Sequence, residues 1–299
     1  MYIDKVNFKQ VLKKKNYRRG EMKYNRIISA SLIRIGSIFF KKKTEICIIT
    51  LHNIPKNQFK WFENFIDFID KKYGFIEPDD FLSRKSNINS GVILTFDDGF
   101  YSNRVVAEKI LKKYNVKAIF FITEKFVNLN KIDSFLFSQE NFYPKSKISK
   151  EQKEEFRSMT WNDVDWLAVN GHTIGAHTAT HKMLSQISSF KLLQDEVEIS
   201  ANRLERKIKQ KVRIFAFPFG TINSINVKAF DLAKSRFDYI FSNVRGSVNK
   251  SPGDYFLFRQ NIVPGDPLWL IELIIDGRFD WKYKKTIKSA FQKFYQKTV

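Results

Sequence analysis

The sequence predicts an α/β protein in which helices wrap a parallel sheet, and three observations carry the prediction. From residue 44 onward, short β-type runs alternate with helical patterns, as repeated βα units require. The 299 residues, 43% hydrophobic with 30 phenylalanines, can bury a sizeable core and exclude wholesale disorder. Chemistry-bearing residues gather at the ends of three β-type runs, where parallel α/β folds deliver functional groups into loops.

The elements follow one another with local reasons. "ICIITLH" (46–52) is an apolar, β-branched run and reads as the first strand. Over 57–74, Phe62, Phe65, Ile66 and Ile69 share one helical face. "GVILTFDDG" (91–99) is a strand that ends abruptly in acids, and "NRVVAEKILKKYN" (103–115) is a helix feeding the strand 116–123. Residues 127–158 break the rhythm and read as an insertion near the mouth of the site. The helix over 160–171 has a capping Thr160, Asp163 at its third helical position and Gly171 to terminate it. A strand and loop (172–178), a long helix (189–210) and a strand with its turn (213–220) follow. The strands "YIFSNV" and "YFLFRQNIV" and the apolar helix "LWLIELII" complete the pattern. Trp161 and Trp166 fall within a helix and read as core residues rather than sugar platforms.

Charge suggests how the chain is organised. The formal net charge is +21, of which residues 1–43 contribute +11 and residues 282–299 contribute +6, leaving +4 for the body. The expected division is a basic N-terminal extension (1–43), a barrel-type domain (44–281) and a basic C-terminal tail (282–299). Two basic ends on a near-neutral body do not make the even basic face of a nucleic-acid binder, so no nucleic-acid partner is expected. They suit an anionic surface such as a phospholipid leaflet. "IISASLIRIGSIFF" (27–40) contains Arg34 and is too short to span a bilayer. With Ile28, Leu32, Ile35 and Phe39 on one face, it reads as a helix docked on the protein's own core, with an interfacial helix as the alternative. No standard secretory signal is visible, and the expected location is cytoplasmic or peripheral at the inner membrane. Cys47, the single cysteine, has no internal partner and reads as a small core residue.

"HTATH" places His177 and His181 four residues apart, so a helical turn there would bring both imidazoles to one ion. A carboxylate from Asp97 or Asp98 completes a two-histidine, one-carboxylate set that leaves positions open for water and substrate. The neighbouring acid stays free to accept a proton from water, which makes the set a candidate hydrolytic site. His52, closing an apolar strand, reads on its own as a core cap or a loop hydrogen-bonder.

"LTFDDG" (94–99), "MTWNDVDWLAVNGHTIGAHTATHKML" (159–184) and "FAFPFG" (215–220) resemble, in order and spacing, the leading motifs of the polysaccharide deacetylase family. This family is the carbohydrate esterase family 4, or NodB-homology domain, and the resemblance runs from residue 44 to roughly 265. It implies a distorted, incomplete (β/α)7-type barrel and a metal-dependent hydrolase that removes acetyl groups from carbohydrates, N-acetyl before O-acetyl. By position, Asp97 matches the catalytic base, while Asp98, His177 and His181 match the metal ligands. The backbone N–H near Phe219 matches the oxyanion donor. The implied cofactor is a divalent ion, zinc first, with cobalt, nickel, manganese or iron as alternatives. The implied partner is an acetylated polysaccharide, oligosaccharide or lipid-linked sugar.

The chain departs from the family's pattern in two places. Where many members carry arginine and tyrosine in the third motif, it has Ala216 and Phe219. Arg259, near the end of a late strand, is the candidate replacement for the arginine that tethers the catalytic acid. The usual late histidine, which protonates the leaving amine, has no counterpart after His181. Some relatives resemble a circular permutation with that strand moved to the front, and "ITLHNI" (49–54) has its form, which makes His52 the candidate acid. His172 opens a strand and reads as structural. Two alternatives stay open: an O-deacetylase or other amidase on the same fold, and a non-catalytic basic protein that binds glycan or membrane.

Overall fold

The computed structural model describes residues 45–84, 88–144, 150–251 and 255–295; the extension 1–43, with the apolar stretch 27–40, lies outside the described residues. Eight short strands form one parallel sheet: β1 (Ile46–Leu51), β2 (Gly91–Phe96), β3 (Ile119–Ile122), β4 (Thr173–Ala176), β5 (Ile214–Ala216), β6 (Tyr239–Phe241), β7 (Phe256–Leu257) and β8 (Gln260–Asn261). Their spatial order is β7-β6-β5-β4-β3-β2-β1-β8. Sequence neighbours are sheet neighbours everywhere except at β8, which lies beside β1.

Alternation along the strands separates two apolar layers. Ile48, Ile93, Ile119, Phe121, Ile214, Ala216, Phe241 and Leu257 point one way and fill the inside of the curl. Ile49, Leu94, Phe96, Phe120, Phe215, Ile240 and Phe256 point the other way, into the layer of helices. That layer includes α1 (Phe59–Lys72), which buries the predicted Phe62, Phe65, Ile66 and Ile69. Both faces are therefore apolar, as a parallel sheet requires.

The sheet curls because one segment borders both its ends. Ile240 and Phe241 of β6 pair with Phe256 and Leu257, while Ile49 and Thr50 of β1 pair with Gln260 and Asn261. Only Phe258 and Arg259 lie between, so the two edges approach within about 11 Å, the reach of that link. The single strand expected at 255–263 is thus two short ones, since its neighbours diverge and each takes one end. The result is a distorted, incomplete barrel with Arg259 in the seam.

Several helices depart from their regular outlines. After α2 (Pro78–Leu82), α3 (Tyr101–Val106) continues through a π-turn (Ala107–Leu111) and a 3-10 turn (Lys112–Tyr114). In the insertion, α4 (Lys131–Phe137) runs into a π-turn (Ser138–Phe142), and a 3-10 segment (Lys150–Phe156) follows. These pack around their own aromatic cluster of Phe100, Phe126, Phe135, Phe142 and Phe156. The helix α5 (Trp161–Val169) has the expected capping box, with Thr160 Oγ1 accepting from the Asp163 amide and Asp163 Oδ2 accepting from the Thr160 amide. Trp161 and Trp166 pack against the main core, and the Arg104 guanidinium lies 3.4 Å from the Trp166 ring centroid.

The long helix expected over 189–210 is α6 (Phe190–Gln194), a π-turn (Asp195–Ile199) and α7 (Ser200–Ile208). A period of 3.6 residues conceals such an insertion. After α8 (Val227–Arg236) and α9 (Leu268–Ile275), α10 (Lys284–Phe294) packs on the body, burying Ala290 and stacking Phe294 on Phe230 at 4.4 Å. Among the described residues no helix is long and apolar enough to cross a membrane. Cys47 is buried in the main core, and burial pushes its thiol up to about 12.

Gly175 in β4 marks the tightest point of the sheet: a Cβ there would stand 2.4 Å from Phe121 Cδ1. Gly175→Ala is expected to destabilise the protein by ~1–3 kcal/mol through overpacking. The check is a lower urea midpoint at an unchanged slope.

Candidate active site

The ends of β1, β2, β4 and β5 open on a cavity of about 610 Å³, lined by His52, Asp98, His181 and Phe219 among others. Asn53, Gln58 and Asn261 and the aromatic residues Phe142, Tyr143 and Phe156 are also among its lining. The insertion and the segment after β8 both contribute to this wall.

Asp97 and Asp98 follow β2 directly. In a continuing strand their side chains would point to opposite faces, but Asp98 has φ +81° and Gly99 φ +96°. That turn lets successive carboxylates serve one cluster. Asp97, fully buried, is gripped by Arg259: Nη1 donates to Oδ1 and Nη2 to Oδ2, each at 2.8 Å. The guanidinium is itself placed by donation from Nε to the Ser242 carbonyl (2.9 Å) and from Nη1 to Thr95 Oγ1 (3.2 Å). Burial alone raises the Asp97 carboxyl, but Arg259, helped by His177 and His52, overrides it and holds the group down at about 2.

Asp98 faces the two histidines. Its Oδ1 lies 3.5 Å from His177 Nε2 and 3.4 Å from His181 Nε2, and this buried oxygen has no hydrogen-bond partner. The far nitrogens are engaged: His177 Nδ1 meets the Ala216 carbonyl at 2.7 Å and His181 Nδ1 meets that of Asn141 at 3.2 Å. A carbonyl can only accept, so both Nδ1 atoms carry a proton, and in the neutral form of each ring Nε2 then presents its lone pair towards Asp98. Burial pushes His181 down to about 4, which keeps it neutral near pH 7. Burial raises the Asp98 carboxyl, while, when the rings are protonated, a hydrogen bond from His177 and the positive charge of His181, His52 and His177 hold it below the usual carboxylate range.

The cluster fits a divalent cation. One carboxylate oxygen and two imidazole nitrogens lie within 4.8 Å of one another, all buried, and both imidazoles are oriented from behind. An unpartnered buried oxygen is costly unless a ligand completes it. A set of two nitrogens and one oxygen suits zinc and its first-row neighbours.

The structure brings six of the predicted residues into one cluster: His52, Asp97, Asp98, His177, His181 and Arg259. His52 Nε2 stands 4.0 Å from Asp97 Oδ2. Phe219, the seventh, lines the cavity with its ring centroid 4.8 Å from that of His181. The helical turn expected across "HTATH" is absent. Thr178 and His181 have φ of +65° and +61°, and the loop is held by Thr178 Oγ1 accepting from the His181 amide at 2.9 Å. Glu196 secures it further, accepting from the Thr180 amide at 2.9 Å and the Thr180 hydroxyl at 2.5 Å. Left-handed backbone at Asp98, Thr178, His181 and Phe219 concentrates strain at the cavity. His172 is buried away from it, its Nδ1 accepting from the Ala118 amide at 3.2 Å.

Sequence reasoning misses the supports. The carbonyls of Ala216, Asn141 and Ser242 leave no side-chain signature. Glu196 does: it shares a buried helical face with Leu193, Val197 and Ser200, where a carboxylate needs a polar partner.

The sequence profile described as polysaccharide deacetylase matches residues 84–235. YxkH of Bacillus subtilis (strain 168), named as a candidate polysaccharide deacetylase, is 26% identical over 174 residues, 58% of this chain. The match spans about half of that curated relative, 52% of its length. Among solved structures, IcaB from Ammonifex degensii is similar at a TM-score of 0.60 and 20% identity, covering 79% of this chain and 98% of that one. A Streptococcus pyogenes deacetylase, PplD, solved with acetate, is similar at 0.57 and 21% identity, over 77% and 98% of the two chains. A de-N-acetylase from Aggregatibacter actinomycetemcomitans gives 0.56 at 18%, over 77% and 99%. At these identities the structural likeness establishes the fold.

Arg259→Met is expected to cost about 3–5 kcal/mol, since it leaves Asp97 buried without its counter-charge. With a folded-state pKa of about 2 against an ordinary 3.8, Asp97 contributes about 2 kcal/mol of stability, fully present above pH ~4 and lost as the pH falls through about 2. Urea unfolding from pH 5 to 2 is expected to show a steeper acid-side decline in the wild type than in a doubly substituted Asp97→Asn, Arg259→Met variant, by about 2 kcal/mol, with the decline common to both coming from groups such as Asp98.

Proposed function

The chain belongs to the polysaccharide deacetylase family, and on that premise we propose that it hydrolyses acetyl groups, N-acetyl in the first place, from a carbohydrate. The Arg259-held Asp97 beside the Asp98, His177 and His181 cluster is the observation that carries this reading. The mixed amide and aromatic lining suits a neutral sugar, whose hydroxyls meet amides and whose C–H faces meet rings.

Asp98 Oδ1, His177 Nε2 and His181 Nε2 would hold a divalent ion, zinc first. When bound, that ion supplies Lewis acidity, acidifying water and polarising the acetyl carbonyl. Asp97 accepts the proton from water as it attacks. A carboxylate held at about 2 is a weak base, so the Arg259 pair exchanges basicity for permanent ionisation and a fixed lone pair. The Phe219 N–H donates to the developing oxyanion. His52 gives a proton to the departing amine, so that acetate and a free amino sugar leave. Residues 44–281 form the proposed catalytic unit. The positive charge of 1–43 and 282–299 supports a peripheral contact of these basic ends with an anionic leaflet.

Acetate release from N-acetylated oligosaccharides is expected to vanish after chelation and return with zinc. His177→Ala is expected to abolish release and weaken zinc binding, read by calorimetry. His52→Ala is expected to slow amide hydrolysis by ~10²-fold or more and that of an activated ester far less. Full turnover by metal-free protein would overturn the reading.

A further inference from the structure

We propose that Asn53 is the positioning residue for His52, a buried clamp that ties the exit of β1 to two other walls of the cavity. This rests on reading His52 as the proton donor. His52 Nε2 is 4.0 Å from Asp97 Oδ2, beyond hydrogen-bond reach, so this neighbour does not tether the ring. The chain that carries the ring must then place it, and the next residue is the anchored one.

Asn53 is 8% exposed, and both ends of its amide are used. Its Nδ2 donates to the Glu155 carbonyl at 2.7 Å, and its Oδ1 accepts from Ser102 Oγ at 2.8 Å. The same Ser102 oxygen accepts from the Ile54 amide at 3.1 Å, which fixes the loop on the far side of Asn53. Because the Glu155 carbonyl can only accept, the orientation of the amide is decided by its partners.

The three anchored pieces have separate origins. Ser102 lies in the first turn of the helix α3 that follows the two aspartates, and the neighbouring Asn103 Nδ2 reaches the Asp97 carbonyl at 3.5 Å. Glu155 belongs to the 3-10 segment of the insertion and, with Phe156, lines the cavity. Asn53 therefore joins the strand bearing His52, the loop bearing Asp97 and the wall on which a sugar would rest. Only a side chain with a donor and an acceptor side by side can do this. Aspartate lacks the donor and would set a charge against the Glu155 carbonyl, while alanine removes both bonds and unties the exit of β1 from Ser102 and Glu155.

The test is a double-variant cycle on the full chain loaded with zinc, using an N-acetylated oligosaccharide and 4-nitrophenyl acetate, whose leaving group departs without a proton. Asn53→Ala is expected to lower kcat on the amide by about tenfold or more, with KM changed less than ~3-fold and ester turnover nearly unchanged. In the His52→Ala background the same substitution is expected to change kcat by less than ~2-fold. Ser102→Ala, which removes one partner and leaves the Glu155 bond, is expected to give the same pattern at smaller amplitude, and it serves if Asn53→Ala does not fold. Equal losses on amide and ester, or equal losses with and without His52, overturn the proposal. If the wild type releases no acetate, the deacetylase reading fails by itself; the clamp is then decided by imidazole NMR, where His52 signals unmoved by Asn53→Ala overturn it.

Discussion

The ion pair between Arg259 and Asp97 is the constraint around which the rest of the structure is arranged. Arg259 is fully buried, and a guanidinium taken out of water is tolerated only when its donors are matched. Here they are, by a bidentate carboxylate, a backbone carbonyl and a threonine hydroxyl. The aromatic faces of Phe121 and Phe241 lie 5.2 and 6.0 Å from its carbon. Meeting all of these at once requires Arg259 to sit where the two edges of the sheet come together. The seam of the barrel and the carboxylate at its mouth are thus one arrangement seen from two sides.

The same economy governs the histidines. Each imidazole is oriented by a carbonyl from an element other than its own, Ala216 of β5 for His177 and Asn141 of the insertion for His181. Left-handed residues then turn the chain so that two Nε2 atoms converge on one buried oxygen. Strain of this kind persists only when packing over-determines it. Around it are Glu196 at the Thr180 amide and hydroxyl and the rings of Phe142 and Phe219 against His181.

Much of this was legible in the residues and some was not. Apolar runs between helical patterns make the barrel readable, because burial on both faces of a parallel sheet leaves little else those runs can do. The acids after "VILTF" and the pair in "HTATH" stand out because charged and imidazole groups rarely follow such runs without a partner. Arg259 could be singled out from its place at the end of a late strand, though not its grip, which depends on a curl that brings residues 162 positions apart together. The splitting of 255–263 and the π-turn inside the long helix were hidden, since both alter the partners of the backbone and leave the apolar pattern intact. The orienting carbonyls were hidden for a like reason: every residue has one.

The insertion brings a further consequence. Its aromatic cluster is separate from the main core, yet it supplies one wall of the cavity and the carbonyl behind His181. Units with their own small core can open while the remainder stays folded. Such an opening would free the His181 ring and dismantle the wall without disturbing a single strand. The integrity of the cavity therefore depends on a few phenylalanines outside the barrel as well as on the barrel itself.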